Sequence, residues 1–556
     1  QCGAGVLFEI LEIKCAAVIE SNALTGDLEI ALGVNICNLT YEGIVMSKII
    51  SSSSAMDLIK SGDVVTIAGF VGTGVPEELL IALENRFLKT KIPTDLTLLF
   101  AAAPGDGKAR GLNHLAHKNL LRRSIGGHYG LAPKLGALAL SGDIEAYNFP
   151  QGVISHMYRD IASGKLGVLT KVGMETFVDP RLEGGKINAK TTEELVHRVE
   201  VLGTDYLFYM APKIDVAIIR GTTADPDGNI SMEREALRLD NLAQAQAAKN
   251  SGGIVIAQVE RIVGCGEILS RLVEVPGAIV DAVVLASPEN HVQTFATNYS
   301  PFLDGSERMK MSTGEDYPLS ARKVIARRAS LELPMEGGIV NLGIGVPEGV
   351  AKVASEQGWL NRMTLTAEPG VVGGQPASGL DFGTARNTDA IIAQNQQFDF
   401  YDGGGLSVAV LGMAEVDSVG NVNVSRFGTR LPGAGGFINI SQNARSVVFC
   451  GTFTAGGLST EIVDGEMRIL QEGRKKKFLH SVQQITFSGE RAARLKKPTL
   501  YVTERCVLAL GEEGLELREI APGVDLHRDI LAQMEFEPII CDLKEMDPRI
   551  FRDQLM

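Results

Sequence analysis

The stretch Gly62-Asp-Val-Val-Thr-Ile-Ala-Gly69, followed at once by Phe70-Val-Gly-Thr-Gly-Val-Pro-Glu77, indicates the fold of this chain. Its first part is an apolar, β-branched run between glycines, which is typical of a buried strand. A helical pattern then extends over 76–86, with proline in its first turn. A strand that passes through a glycine turn into a helix is the building unit of a parallel α/β sheet.

Similar units recur along the chain. Further apolar runs typical of buried strands lie at 216–219, 253–257, 282–285, 408–411 and 447–449. Because helical stretches separate these runs, the sequence predicts an α/β protein with open, mainly parallel sheets and helices on both faces. The glycine turn returns as Leu342-Gly-Ile-Gly-Val-Pro-Glu348, and the string over 225–230 returns over 417–422. Repeats so far apart indicate a duplicated domain rather than a solenoid.

The duplication and one polar segment give the predicted domain limits. We predict an N-terminal domain over 46–303, a linker over 304–318 that is rich in glycine, serine and charge, and a C-terminal domain over 319–556. Residues 1–45 resemble neither a secretory signal, which starts with basic residues, nor an arginine-rich mitochondrial presequence. Since Met46 looks like a natural start, we interpret 1–45 as upstream, extraneous sequence.

Composition argues against several classes of function. The chain has 53 basic and 67 acidic residues, and its net charge of −14 opposes electrostatic capture of nucleic acid. No stretch approaches the roughly 18 uninterrupted apolar residues that a membrane helix needs. The seven cysteines form no C-x-x-C pair and the eight histidines no H-E-x-x-H motif. We therefore expect reduced thiols, a cytoplasmic protein and no metal site.

The motif richest in chemistry is Thr364-Leu-Thr-Ala-Glu368-Pro-Gly-Val-Val-Gly373-Gly374. It reads as a strand that ends in a carboxylate and continues into proline and glycines. Ligands of parallel α/β sheets lie beyond the carboxyl ends of the strands. Glu368 would therefore be open to a large substrate, although an exposed glutamate in a flexible turn would give the same local string.

Other glycine-rich turns offer backbone amides. The turns with Gly72 and Gly74 and with Gly343 and Gly345 precede helix N-termini, a geometry that binds phosphate or carboxylate groups. A tight strand-to-helix turn would use glycine in the same places. The run Asp402-Gly-Gly-Gly405 precedes a predicted strand and is interpreted as an amide nest for an oxyanion, or else as a hairpin corner.

Three further features have both a functional and a structural interpretation. Gln151, in a turn between proline and glycine, could donate a hydrogen bond to an oxyanion, although most such side chains cap backbone groups. His128 could be a general base, but the chain has no G-x-S-x-G motif, which favours a structural histidine. The basic run over 474–477 is typical of a solvated surface, or it could hold phosphates of a nucleotide-like cofactor.

Together these motifs resemble the family I coenzyme A-transferases in their fused, single-chain form, of the short-chain acetate/propionate type. The resemblance covers 46–549 and includes Gly105-Asp-Gly-Lys-Ala-Arg-Gly-Leu-Asn-His-Leu115, Gly126-Gly-His-Tyr-Gly130, Glu145-Ala-Tyr-Asn-Phe-Pro-Gln-Gly152 and Phe400-Tyr-Asp-Gly-Gly-Gly405. The two-subunit 3-oxoacid branch typically has Ser-Glu-Asn-Gly around its glutamate, where this chain has Ala367-Glu-Pro-Gly370.

The resemblance implies a ping-pong transfer of coenzyme A at a site between the two domains. Glu368 would attack an acyl-CoA and give an acyl-glutamyl anhydride, which then becomes a glutamyl-CoA thioester; an incoming carboxylate reverses the steps. We expect Gln151 and Gly405 to form the oxyanion hole. The glycines expected to bind the substrate or coenzyme A are Gly72, Gly74, Gly343, Gly345, Gly373, Gly374 and Gly404.

The same resemblance implies the partners. Coenzyme A is expected as a substrate and not as a permanently bound cofactor, with acyl-CoA and short-chain carboxylates as ligands, and the chain is expected to form a homo-oligomer, a dimer or tetramer. One alternative is an acyl-CoA hydrolase, in which water attacks the same thioester. Another is a ligand-sensing module, which would normally bring a DNA-binding helix-turn-helix. A sugar-phosphate isomerase of similar fold would be a much shorter chain.

Overall fold

A parallel sheet organises the first half of the chain in the computed structural model, which describes residues 47–310 and 317–556. Within those residues the sheet has seven strands in the order β7-β6-β5-β1-β2-β3-β4, and every neighbouring pair is parallel. In chain order the strands are β1 (Val64–Ile67), β2 (Leu96–Phe100), β3 (Leu121–Gly126), β4 (Glu145–Asn148), β5 (Val216–Arg220), β6 (Ile254–Val259) and β7 (Ala282–Leu285). The central strands β2 and β5 are buried along their whole length, as strands covered on both faces must be.

A second sheet follows in the other half. Its ten described strands run β11-β10-β9-β8-β12-β13-β14-β15-β16-β17, and the stretch from β9 to β14 is parallel, with antiparallel pairs outside it except for β16 and β17, which are parallel. The strands are β8 (Ile339–Leu342), β9 (Thr364–Ala367), β10 (Val371–Val372), β11 (Ala390–Ile391), β12 (Val408–Gly412), β13 (Ser446–Cys450), β14 (Thr499–Val502), β15 (Cys506–Leu510), β16 (Leu515–Ile520) and β17 (Ile539–Glu545). Two mainly parallel sheets confirm the predicted fold class.

The two sheets share a strand order, as the repeated motifs predict. In the first sheet β1 lies between β5 and β2, and in the second β8 lies between β12 and β9. Thr66 of β1 and Asn341 of β8 have equivalent register positions beside these neighbours. Counting forward along β2 and β9, Ala101 takes the place in the first half that Glu368 takes in the second. The first copy therefore has no carboxylate at the corresponding strand end.

Helices cover the sheets. In the described residues they are α1 (Ser52–Asp57), α2 (Glu77–Thr90), α3 (Pro133–Ser141), α4 (Gln151–Ala162), α5 (Asn241–Asn250), α6 (Ala321–Ser330), α7 (Glu348–Glu356), α8 (Gln394–Asp402), α9 (Phe437–Asn443) and α10 (Gly489–Arg494). The helix expected over 76–86 is α2. None of the helices that the structure describes is long and apolar enough to cross a bilayer.

Short ladders border the two sheets. They comprise Arg261–Ile262, Thr223–Ala224, Ile230–Ser231 and Val273–Val275; Gly167–Thr170, Thr204–Met210 and Val196–Val201; Val422–Asn423, Glu415–Asp417 and Phe478–Leu479; Gln375–Pro376 with Ala385–Arg386; Thr454–Ala455 with Lys475–Lys476; and Ser459–Val463 with Glu466–Gln471. Residues 1–46 and 311–316 lie outside the described residues, and with them the predicted upstream segment and part of the predicted linker. Residues 48–556 pack as one unit, so the division at 304–318 stays a prediction.

An apolar cluster joins the two halves beside the end of β9. Its members come from the glycine turn after β1, from the segment before α5 and from the residues around Glu368. They are Phe70, Val71, Ala102, Leu237, Leu239, Ala367, Val371, Phe382 and Ala385. Since Ala367 directly precedes Glu368, this packing fixes the position of the candidate nucleophile relative to the first half.

Candidate active site

Glu368 stands at the carboxyl end of β9, as the sequence predicts. The chain turns back there through Pro369 and Gly370 into β10. Gly370 has a φ of +115°, and a Cβ on it would lie 2.0 Å from the carbonyl oxygen of Ile392, so this turn requires glycine. Burial raises the pKa of the Glu368 carboxyl, while a hydrogen bond from Asn341 opposes the rise. Part of the residue remains exposed to solvent, so a substrate can reach it.

Buried polar side chains lie beneath Glu368. Nδ2 of Asn341 donates to the hydroxyl of Tyr401 at 3.3 Å, and that hydroxyl donates to Oγ1 of Thr366 at 2.8 Å. Asn341 and Tyr401 have no exposed surface. Oδ1 of Asn341 is buried without a hydrogen-bond partner in the part of the chain that the structure describes. These buried hydrogen bonds fix the strand end from which Glu368 projects.

The segment Leu431-Pro-Gly-Ala-Gly-Gly436, here called the 431–436 loop, connects the two halves at the site. The amide of Gly435 donates to the carbonyl of Gly127 at 2.7 Å, and Gly435 accepts from the amide of Gln151 at 2.9 Å. The amide of Ala434 donates to Oδ1 of Asn148 at 2.9 Å. The sequence interpretation missed this element, although three glycines in the four residues after a proline were an available signal.

The 431–436 loop brings Gln151 and Glu368 to neighbouring positions. A Cβ on Gly435 would lie 3.7 Å from Oε1 of Gln151, and a Cβ on Gly436 would lie 3.5 Å from Cγ of Glu368. Gln151 is the first residue of α4 rather than part of an isolated turn, and it is almost fully buried. Its Nε2 donates to Oε1 of Gln394 at 3.1 Å. The amide of Gly436, at the start of α9, donates to no acceptor among the described residues.

Gly404 and Gly405 are placed differently from the expectation. Their amides donate to the carbonyls of Tyr401 and Phe400, each at 3.0 Å, and thereby complete the C-terminus of α8. A Cβ on Gly405 would lie 2.3 Å from the Phe400 ring. The predicted amide nest before a strand is therefore a helix end. Because both amide protons are already bonded, this geometry does not support either glycine as an oxyanion or substrate donor.

Close packing explains glycine at most of the other predicted binding positions. The Cβ positions would meet these atoms: Gly72 the Leu380 carbonyl oxygen at 2.8 Å, Gly74 Leu239 at 2.8 Å, Gly343 Leu411 at 3.3 Å, Gly373 Asp389 at 2.2 Å and Gly374 the Arg386 carbonyl oxygen at 2.3 Å. A Cβ on Gly345 would meet nothing within 4 Å. The structure thus places Gly345 at an open surface and the other five glycines against protein atoms.

A cleft extends along the start of α7. Its lining includes the cations Lys352 and Arg386 and the acids Glu348 and Asp381. Phe382, also in the lining, stacks on Phe70 of the first half with ring centroids 6.1 Å apart. Since Phe382 belongs to the apolar cluster with Ala367, the cleft approaches the strand end that carries Glu368.

The remaining candidate residues have structural surroundings. Burial lowers the pKa of His128 to about 4, so its ring is neutral at pH 7 and lies beside the 431–436 loop. In the basic run, Lys477 donates to the carbonyl of Thr452 at 2.8 Å, and Lys476 donates to that of Ala532 at 2.9 Å. Within the described ranges, no group of three or more His, Cys, Asp or Glu could hold a metal ion.

Comparisons with known proteins show the family to which this chain is similar. Residues 49–286 match the family model described as "Coenzyme A transferase". The chain is 47% identical to the caffeate CoA-transferase of Acetobacterium woodii, over 92% of this chain and 98% of that protein. It is 41% identical to the acetate CoA-transferase YdiF of Escherichia coli K12, over 91% and 96% of the two chains. The crystal structure of the E. coli O157:H7 YdiF acyl-CoA transferase in a thioester complex with CoA superposes with a TM-score of 0.87 at 40% identity, covering 92% of this chain and 97% of that one.

This chain belongs to the coenzyme A transferase family. It is a CoA-transferase, an enzyme of the class that exchanges coenzyme A between an acyl thioester and a carboxylate. The family predicted from the motifs around Glu368 is thereby confirmed.

Proposed function

We propose that this enzyme transfers coenzyme A between a short-chain acyl-CoA and a free carboxylate through covalent intermediates on Glu368. The observation that carries the proposal is a glutamate at a strand end, partly open to solvent and fixed from below by Asn341 and Tyr401. Burial raises the pKa of its carboxyl, which makes the carboxylate more basic than an exposed one and favours nucleophilic attack.

The chemistry then follows in balanced steps. The Glu368 carboxylate attacks the thioester carbonyl, and the CoA thiolate leaves as a mixed anhydride forms. The thiolate returns to the glutamyl carbonyl, the first carboxylate leaves, and a glutamyl-CoA thioester remains. A second carboxylate reverses both steps, so one thioester bond is exchanged for another. Remote binding of the CoA nucleotide has to offset much of the barrier, because a carboxylate is a weak nucleophile towards thioesters.

Oxyanion donors must face the thioester oxygen during the attack. Gln151 borders the same loop as Glu368, and the unbonded amide of Gly436 lies beside it at the start of α9. We therefore propose that the oxyanion hole is formed by Gln151 and by the backbone amide of Gly436. Gly405, the backbone donor expected from the sequence, is no longer included.

The cleft along α7 is the proposed site for coenzyme A. Its two cations, Lys352 and Arg386, suit phosphate groups, and Gly345 leaves its backbone accessible at the same edge. The relatives named for acetate and for caffeate differ greatly in acid size. We favour short-chain acids because the motifs of this chain resemble those of the acetate/propionate type. A homo-oligomer and a cytoplasmic location stay predictions.

An acyl-CoA hydrolase is the second candidate function. It would form the same glutamyl thioester, and it differs from a transferase in whether water reaches that thioester.

Trapping the covalent intermediate tests the mechanism, and analysis of the products distinguishes transfer from hydrolysis. After incubation with acetyl-CoA, borohydride should reduce the glutamyl thioester and inactivate the enzyme, with the modified peptide containing Glu368. Glu368→Gln should lose trapping and transfer. Glu183→Gln is a matched control, since burial also raises the pKa of Glu183 outside the site, and it should keep both. Normal transfer by Glu368→Gln would refute the mechanism, and acid release without a new acyl-CoA would show a hydrolase.

A further inference from the structure

A chain of buried hydrogen bonds leads from Gln151 to a carboxylate of the first half. Nε2 of Gln151 donates to Oε1 of Gln394 at 3.1 Å, and Nε2 of Gln394 donates to Oδ2 of Asp240 at 2.6 Å. The other carboxylate oxygen, Oδ1, accepts from Oγ of Ser155 at 2.6 Å. All four side chains are buried. Since Gln394 is the first residue of α8 and the others belong to the first half, these bonds cross between the two halves.

The carboxylate decides which way both amides point. Burial raises the pKa of Asp240 to about 6, so the ionised form, which only accepts hydrogen bonds, predominates at pH 7.5. Gln394 must therefore turn its NH2 group to Asp240 and its oxygen to Gln151, and Gln151 must turn its NH2 group to Gln394. Nε2 of Gln151 makes that one hydrogen bond among the described residues, so its second N–H is left for the thioester oxygen. The carboxylate thereby fixes Gln151 as a donor towards the substrate.

The backbone beside Asp240 is shaped for this contact. Asp240 stands at the N-cap position of α5, where an aspartate usually accepts from amides of the first helical turn, but its side chain makes no such bond. Leu239 has a φ of +55°, a left-handed conformation that leucine seldom adopts, and its carbonyl accepts from the backbone amide of Gln394 at 3.0 Å. This strained turn presents a carbonyl and a carboxylate to the start of α8 instead of capping α5.

We propose that Asp240 and Gln394 are positioning residues of the transfer reaction, which hold the Gln151 amide in the orientation that donates to the thioester oxygen. Both act through Gln151 rather than on the reacting atoms. The inference rests on the proposed function, because it takes Gln151 as an oxyanion donor, and it adds no covalent step. In the alternative, a purely structural role, the same bonds would only hold α8 against the first half.

The first test changes the middle residue of the chain of bonds. Gln394→Met removes both hydrogen bonds and keeps the length of the side chain, so Gln151 is free to turn its oxygen towards the substrate. For CoA transfer from acetyl-CoA to propionate, we expect kcat to fall at least about tenfold and KM for acetyl-CoA to stay within about threefold, because the donor matters most in the transition state. Rates are expressed per site that borohydride traps at the plateau, so unfolded enzyme does not contribute. Gln394→Asn, one methylene too short to reach both partners, is a milder second variant and should show the same split.

Asp240 offers a rescue by a conservative change. Asp240→Asn can still accept from Gln394 through its oxygen and can donate to the Ser155 hydroxyl, so kcat should stay within about threefold of the wild type. Asp240→Leu has a similar shape but no acceptor, and its kcat should fall as in Gln394→Met.

Gln258→Met is the matched control. Gln258 is fully buried in β6, and both ends of its amide are bonded, to the backbone of Leu79 and of Asn290. Its bonds do not lead to Gln151. The change should leave kcat per trapped site unchanged even if it lowers stability.

A double-mutant cycle separates positioning from structure. If Gln394 acts through Gln151, Gln394→Met should change kcat by less than about threefold when Gln151 is already alanine. A further fall of about tenfold in that background would overturn the proposal. Wild-type kcat in Gln394→Met would overturn it too, as would equal losses in Asp240→Asn and Asp240→Leu. Failure of the proposed function has a different signature, because Gln151→Ala would then keep wild-type turnover or Glu368 would not be trapped in the wild-type enzyme.

Discussion

Gly152→Ala would insert a methyl group where the two halves touch beside the site. Gly152 is the second residue of α4, and its amide donates to Oδ1 of Asn439 at 3.1 Å. A Cβ there would lie 2.4 Å from Nδ2 of Asn439 and 2.5 Å from Cδ1 of Phe398. Neither side chain has exposed surface, and Asn439 is further bonded to Asp402 at 3.0 Å. The methyl group therefore has no room unless α4 moves away from α8 and α9.

The expected magnitude combines three terms. Overpacking of a dense interior costs about 1–3 kcal/mol, and weakening of the Asn439 hydrogen bond costs about 1 kcal/mol. Replacement of a helical glycine by alanine returns about 1 kcal/mol. The net loss of about 2 kcal/mol should lower the Tm by about 2 °C, because a unit as large as residues 48–556 has an unfolding entropy of roughly 1 kcal/mol/K. Turnover should fall by roughly 10²-fold, because Gln151 shifts with the start of α4 and small misplacements near the reacting atoms are amplified.

Gly136→Ala is the matched control. Gly136 lies inside α3, and the nearest atom to its Cβ position would be Cβ of Tyr129 at an ordinary 3.8 Å. This change should raise the Tm slightly and leave turnover unchanged. Both variants are measured by thermal unfolding and by CoA transfer from acetyl-CoA to propionate. Wild-type Tm and turnover in Gly152→Ala would show that α4 does not pack against α8 and α9 as described.

Two further predictions concern buried charges. Burial between the halves raises the pKa of Asp402 to about 6 despite the opposing charge of His156. The folded protein then binds more protons than the unfolded chain between about pH 4 and 6, so this carboxyl destabilises by up to about 3 kcal/mol above pH 6. The Tm difference between Asp402→Asn and wild type should therefore shift in favour of the variant from pH 4.5 to 7.5, and a constant difference would contradict this. In the first half, Glu235 pairs with Arg220 at 3.0 Å, and both are buried. Glu235→Gln should cost about 3–5 kcal/mol in denaturant unfolding by leaving Arg220 unpaired; a loss below about 1 kcal/mol would refute the pairing.

Local chemistry explains what could be predicted from the sequence. The β-branched runs that form β5, β6 and β12 are apolar along their length and are therefore buried with any neighbouring elements. Their pattern alone was sufficient to predict them as buried strands. The strand end at Glu368 could be predicted for the same reason, since Pro369 and Gly370 stop the strand within the motif itself. The duplication was visible because both copies keep their turn residues.

Helix α8 was missed because its buried side chains do not look buried in the sequence. The face that packs inward carries Gln394 and Gln397 beside Phe398 and Tyr401, which breaks the apolar period of an ordinary surface helix. If α8 is not recognised in the sequence, the backbone amides of the glycines up to Gly405 look free to bind a ligand. Whether a glycine amide is free depends on the conformation of the preceding turn, and three consecutive glycines do not specify that conformation.

The parts of the site that come from different halves depend on pairings that local sequence does not specify. Ala434 and Asn148, for example, are bonded across 286 residues of chain. The two copies also contribute differently at equivalent positions. A glutamate at Ala101, as at Glu368, would add a second buried negative charge close to Asp240, which lines the same small space as Ala101. Alanine at this position avoids that repulsion. The two copies of one fold therefore differ at equivalent strand ends, and of the two it is the second that carries the carboxylate proposed as the nucleophile.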